Sequence, residues 1–109
     1  MDSVYPASEP ARAQIDALEG PAMLEFGTPW CGYCRAAQRS IAEAIAAHPE
    51  VRHIKIEDGK GRALGRSFRV KLWPTLIFLR QGKEIARLVR PVDSIPIRQA
   101  LEALSAASA

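Results

Sequence analysis

The chain has 109 residues, 48% hydrophobic and 25% charged, the proportions of one globular domain with a modest core. No apolar stretch approaches the roughly 18 residues of a membrane span, and two cysteines are too few for a disulfide scaffold. The net charge of +3 is uneven, with three arginines against seven acids in residues 1–51 and eleven lysines and arginines against three acids in residues 52–90. That basic half reads as a solvated face, so neither nucleic acid nor membrane is an expected partner. Met1 to Pro6 lacks the basic end and apolar run of a signal peptide, so a cytoplasmic location is expected. An extracytoplasmic location would require a leader already removed.

In chain order, Val4-Tyr5 is at most a weak strand at a sheet edge. Ser8-Glu9-Pro10 predicts a helix start, with Ser8 as N-cap and Pro10 in the first turn. Ile15 and Leu18 give that helix a thin apolar face, and Gly20-Pro21 stops it. The run 22–26 predicts a buried strand carrying one acid, Glu25. A second helix runs from Arg35 to about Ala47, with Ala37, Ile41, Ala44 and Ile45 on one face. Val51 to Ile56 predicts the next strand, and Arg62 to Phe68 a short helix that Gly65 weakens. Pro74 to Leu79 has no polar residue after Thr75 and reads as a strand buried on both faces. Gln81-Gly82 predicts a hairpin turn into an alternating edge strand over 84–90. Asp93 or Ser94 caps a last helix with Ile97, Leu101 and Leu104 inward. The order is that of an α/β layer fold.

The two cysteines stand two residues apart in Trp30-Cys31-Gly32-Tyr33-Cys34, at the turn from the first clear strand into a helix. Unpaired backbone N–H groups and the positive end of the helix dipole collect there, and both favour a thiolate. Cys31, nearer the helix start, is expected to be the exposed thiol. A rival pattern is Cys31-x2-Cys34-x13-His48-x4-His53, close to zinc-finger spacing. Pro49 separates the two histidines, however, and His53 falls in a strand. The residues then read as a helix C-terminal histidine and a strand-surface histidine.

At these motifs the chain resembles the thioredoxin family. Trp30 to Cys34 matches its WCxxC, and Trp73-Pro74-Thr75, about forty residues on, matches its cis-proline and following threonine. Glu25, six residues before Cys31, falls where the family has a buried aspartate, and Lys55 falls at its strand lysine. Gln81-Gly82-Lys83 matches its hairpin. The resemblance covers roughly 8–106. Tyr33 replaces the usual proline, Gly27 stands where an aromatic is common and leaves the site more open, Trp73 replaces a smaller residue, and Arg90 stands near a usual glycine.

The resemblance implies a thioredoxin fold, a central mixed sheet of four to five strands with helices on both faces. It implies a thiol–disulfide oxidoreductase that reduces protein disulfides, with Cys31 as nucleophile and Cys34 resolving the mixed disulfide. Burial should raise the pKa of Glu25, which then takes the Cys34 proton, with Lys55 modulating it. Trp30, Gly32, Tyr33, Trp73, Pro74, Thr75 and Arg90 are expected to meet substrate. No cofactor beyond the dithiol is implied. The expected partners are disulfide-bearing proteins and an electron donor such as a thioredoxin reductase, and the expected state is a monomer. The alternatives are a disulfide oxidase or isomerase outside the cytoplasm, a redox-inert binding module, or a zinc-binding protein.

Overall fold

Two apolar runs without alternation become the two central strands of a four-stranded mixed sheet in the computed structural model, which describes residues 5–106. The elements are α1 (Arg12–Asp16), β1 (Pro21–Gly27), α2 (Gly32–Ala46), β2 (Arg52–Glu57), α3 (Ala63–Ser67), β3 (Thr75–Arg80), β4 (Lys83–Val89) and α4 (Ser94–Ala106). The strand order is β2-β1-β3-β4, with β1 parallel to β2 and antiparallel to β3, and β4 antiparallel to β3. Val4 lies outside the described residues, and Tyr5 belongs to no strand.

Strand periodicity divides the core in two. Met23, Leu76 and Phe78 pack with Ile41, Ala44, Ile97, Leu101 and Leu104, which places α2 and α4 on one face. Leu24, Phe26, Ile77 and Leu79 pack with Ile15, Leu64 and Phe68, which places α1 and α3 on the other. Both central strands are therefore covered twice, which is why neither alternates with polar residues. Edge strand β4 alternates less cleanly than its sequence suggests. Phe78 pairs with Ala86 and Leu79 with Glu84, so Ile85 is left over as a bulge. Gln81 and Gly82 both take positive φ, 50° and 75°, the pattern of a type I′ hairpin turn. Asp93 caps α4 as expected, its Oδ1 accepting the Ile95 N–H at 2.9 Å.

The first helix departs from expectation. It begins after Ala11, not at Ser8, and ends at Asp16, four residues before Gly20. The Gln14 side chain closes its start by accepting the Ala11 N–H at 2.8 Å. Glu9, expected inside that helix, instead accepts N–H groups of Ala63 and Leu64 at the start of α3, where Arg62 offers no side-chain cap. Gly65 lies inside α3 for a reason outside that helix. A Cβ there would lie 2.2 Å from the Asp58 carboxylate, which Trp73 Nε1 also engages at 2.9 Å, so the bare backbone makes room for Asp58.

Candidate active site

The turn from β1 into α2 carries both thiols. Cys31 is the N-cap of α2, and its Sγ accepts the Cys34 N–H at 3.1 Å. That bond turns the sulfur inward, so Cys31 is only 7% exposed and not the open thiol expected; Cys34 is 1% exposed. Burial, then the neighbouring Cys31 and the Glu25 charge, push the Cys34 thiol up to about 12, against a backbone hydrogen bond at Thr28. Cys34 is therefore a neutral thiol near pH 7, and a proton must leave whenever it attacks.

Behind Cys34 lies a buried polar cluster. Glu25 is fully buried on the α2 face of β1. His53 Nε2 donates to its Oε1 at 2.8 Å, Gln38 Nε2 to its Oε2 at 2.7 Å, and Lys55 Nζ stands 3.6 Å from Oε2. Gln38 also donates to the Cys34 carbonyl at 2.9 Å and accepts from Lys55 at 2.8 Å. Burial alone would raise the Glu25 pKa, as expected from sequence. The hydrogen bonds from His53 and Gln38 and the charge of Lys55 outweigh it, and the carboxyl sits below its usual range. Glu25 is thus ionised at neutral pH.

On the other side of Cys31 the surface is aromatic and open. Trp30 is 69% exposed and Tyr33 61%. The Trp30 ring meets Trp73 edge-on at 5.5 Å, which joins the two loops that precede Cys31 and Pro74. The Trp73–Pro74 peptide is cis. The Arg90 guanidinium lies 3.9 Å from the Tyr33 ring centre, and its Nε donates to the Trp73 carbonyl at 2.8 Å. Gly32 is exposed beside Tyr33, while Pro74 is buried. Thr75 is buried too, and its hydroxyl donates to the Leu72 carbonyl at 2.6 Å. Its side chain holds this loop instead of facing substrate.

Sequence reasoning missed His53, Gln38, Asp58 and Tyr5. Parallel pairing sets Glu25 beside Lys55 and Met23 beside His53, so His53 and Lys55 share the face of Glu25. His53 is a partner of the buried acid, not a surface histidine. His48 turns instead to Glu50, at 3.3 Å, and among the described residues no three His, Cys, Asp or Glu side chains gather as a metal site. Nor is the site opened by Gly27, where an added Cβ would lie 2.6 Å from Cys34 Sγ and 2.7 Å from Tyr5 Oη. The space is already filled.

Comparison with known proteins agrees with this geometry. The family profile described as Thioredoxin matches residues 7–103. The reduced form of thioredoxin 2 from Pseudomonas aeruginosa superposes with a TM-score of 0.88 at 53% identity, covering 98% of this chain and 99% of that one. Thioredoxin C-3 of Corynebacterium nephridii is 26% identical over 82 residues, 75% of this chain and 57% of its own. A protein disulfide-isomerase of Gallus gallus is 34% identical over 68 residues, 59% of this chain but 13% of that protein.

Proposed function

The chain belongs to the thioredoxin family, and from that premise we propose that it reduces protein disulfides through Cys31 and Cys34. The observation that carries the reading is the Cys31 sulfur at the α2 N-terminus, held by the Cys34 N–H at 3.1 Å with Cys34 buried beneath it. The Cys31 thiolate attacks a substrate disulfide, forms a mixed disulfide and expels the first substrate thiolate. Cys34 then loses its proton and attacks Cys31 Sγ. The Cys31–Cys34 bond forms, and the second substrate sulfur leaves with the electron pair. Two electrons pass to substrate, and a dithiol donor such as a thioredoxin reductase restores them.

Glu25, ionised and buried, accepts the Cys34 proton. Its lowered pKa makes it a brief holder of that proton, while the His53 Nε2–H and Gln38 amide keep the carboxylate in place. Lys55 holds the carboxylate charge in place. Trp30, Tyr33, Trp73 and Arg90 form the docking face for an extended substrate segment, beside the Pro74 backbone. Under this reading the protein works as a monomer in a reducing compartment, the cytoplasm, and needs no cofactor beyond its dithiol. A second reading, oxidation or isomerisation of disulfides in an extracytoplasmic compartment, is favoured by the 34% identity to a disulfide isomerase segment.

The test is reduction of a disulfide-bonded protein by wild type, Cys31→Ser and Cys34→Ser. Loss of turnover in Cys31→Ser, with a trapped mixed disulfide on Cys31 in Cys34→Ser, is expected. Full activity in Cys31→Ser would refute the assigned nucleophile.

A further inference from the structure

Tyr5 stands outside every helix and strand, yet its side chain is more than nine-tenths buried against the site. Its ring carries Lys55 Nζ 4.5 Å above the centre, so the cluster around Glu25 holds it in place. Its hydroxyl has no hydrogen-bond partner in the resting dithiol. The Cys34 sulfur lies beside it, on the same side of Gly27. A buried hydroxyl without a partner is rare and asks for a reason.

We propose that Tyr5 is a further catalytic residue, the donor whose hydroxyl receives the charge that develops on Cys34 Sγ in the resolving step. A neutral thiol is a poor acceptor, so the resting dithiol leaves the hydroxyl unsatisfied. A thiolate is a strong one, and a hydrogen bond to a charged group is the stronger kind. The contact therefore strengthens only as Cys34 ionises, which lowers a barrier without tightening the resting state. Burial, the Glu25 charge and the two cysteines all raise the Tyr5 hydroxyl's own pKa, so it stays protonated and donates throughout. The Thr28 backbone favours the same thiolate, so on ionisation the Cys34 sulfur would be met from two directions. A pocket of about 320 Å³ opens beside this pair, lined by Tyr5, Thr28, Cys34, Gln38 and Lys55. The charged groups around the sulfur are Glu25 from β1, Lys55 and Glu57 from β2, and Arg35 from α2.

In the step itself the Cys34 S–H bond breaks and its proton leaves to Glu25. The Cys31–Cys34 bond replaces the Cys31–substrate bond, and the substrate sulfur departs as thiolate. Tyr5 keeps its proton, donating a hydrogen bond to Sγ and transferring nothing. The proposal rests on the oxidoreductase reading, and two measurements on Tyr5→Phe separate their fates. The first follows thiol release from a small aromatic disulfide in a stopped-flow instrument, where the fast phase reports Cys31 and the slow phase Cys34. Tyr5→Phe should slow the second phase about tenfold and leave the first within about twofold. The second titrates the Cys34 thiolate by its ultraviolet absorbance in a Cys31→Ser background, where Tyr5→Phe should move the midpoint up by about one pH unit.

An unchanged second phase or an unchanged midpoint overturns the role of Tyr5, while a wild type with two phases leaves the oxidoreductase reading standing. Equal slowing of both phases with a lowered melting temperature also overturns it, because Tyr5 then only packs. A wild type that releases no thiol overturns the oxidoreductase reading and the role in turnover with it. The titration would still report whether Tyr5 bonds the thiolate.

Discussion

The two sides of the Cys31–Cys34 pair are built from opposite materials. Toward solvent lie Trp30, Tyr33, Trp73 and Arg90, joined by an edge-on ring contact and a cation–π contact at 3.9 Å. Toward the core lie Glu25, Gln38, His53, Lys55 and Tyr5, where most polar contacts are 2.7 to 2.8 Å and Glu25 has no exposed surface. The outer side leaves aromatic area open to solvent and contributes little to the core. The inner side is where charge in a low dielectric must be matched atom for atom. Substitutions should therefore separate binding from proton chemistry and stability.

The largest effect is expected from Glu25→Ala, which strands His53, Gln38 and Lys55 without their carboxylate. Breaking such a buried pair costs about 3–5 kcal/mol, measurable by urea unfolding. A loss under about 1 kcal/mol would show that the cluster reorganises freely. Glu25→Gln sharpens the same point through pH. The folded pKa of Glu25 is lowered, so its charge contributes stability above about pH 4.5 that is lost as pH falls through the folded value. The wild type should lose stability on acidification more steeply than Glu25→Gln, and parallel curves would contradict the pairing.

Next in size is Gly27→Ala, whose methyl meets Cys34 Sγ at 2.6 Å and Tyr5 Oη at 2.7 Å. Overpacking of this kind costs about 1–3 kcal/mol, and here it should also slow the release step assigned to Cys34. Gly65→Ala drives a methyl into the Asp58 carboxylate at 2.2 Å, with a similar cost and a change in Trp73 fluorescence as its indole N–H loses Asp58. A neutral result at either glycine would mean that the contact gives way without cost.

The smallest structural effect belongs to the outer side. Arg90→Ala should leave stability within about 0.5 kcal/mol yet raise KM for a protein substrate several-fold with kcat unchanged. A fall in kcat at constant KM would move Arg90 from recognition to chemistry.

Much of this division was legible in the chain itself. The run at 74–79 read as a doubly covered strand and that at 22–26 as a buried one, and WCGYC with a distant Trp73-Pro74-Thr75 pointed to the outer side and the chemistry. The inner side was legible only in part, because its residues meet across strands. Glu25 stood out as an acid in an apolar run, but the direction of its pKa depends on partners 13 and 28 residues away. His53 carries a weak signal, two residues before Lys55 on one strand face. Gln38 carries another, four residues after Cys34 on α2. Tyr5 carries none, since nothing local ties it to Gly27. Glu9 misled for the same reason, because it answers to α3 and not to the first helix.

The most direct test of the central claim is the redox equilibrium of the Cys31–Cys34 couple against glutathione, followed by tryptophan fluorescence from Trp30. A single two-electron transition to an intramolecular disulfide is expected, at a potential more reducing than the glutathione pool. A couple that glutathione readily reduces to the dithiol under those conditions would contradict a reductase and favour a disulfide oxidase or isomerase. A protein that forms no disulfide at all would contradict the dithiol chemistry altogether.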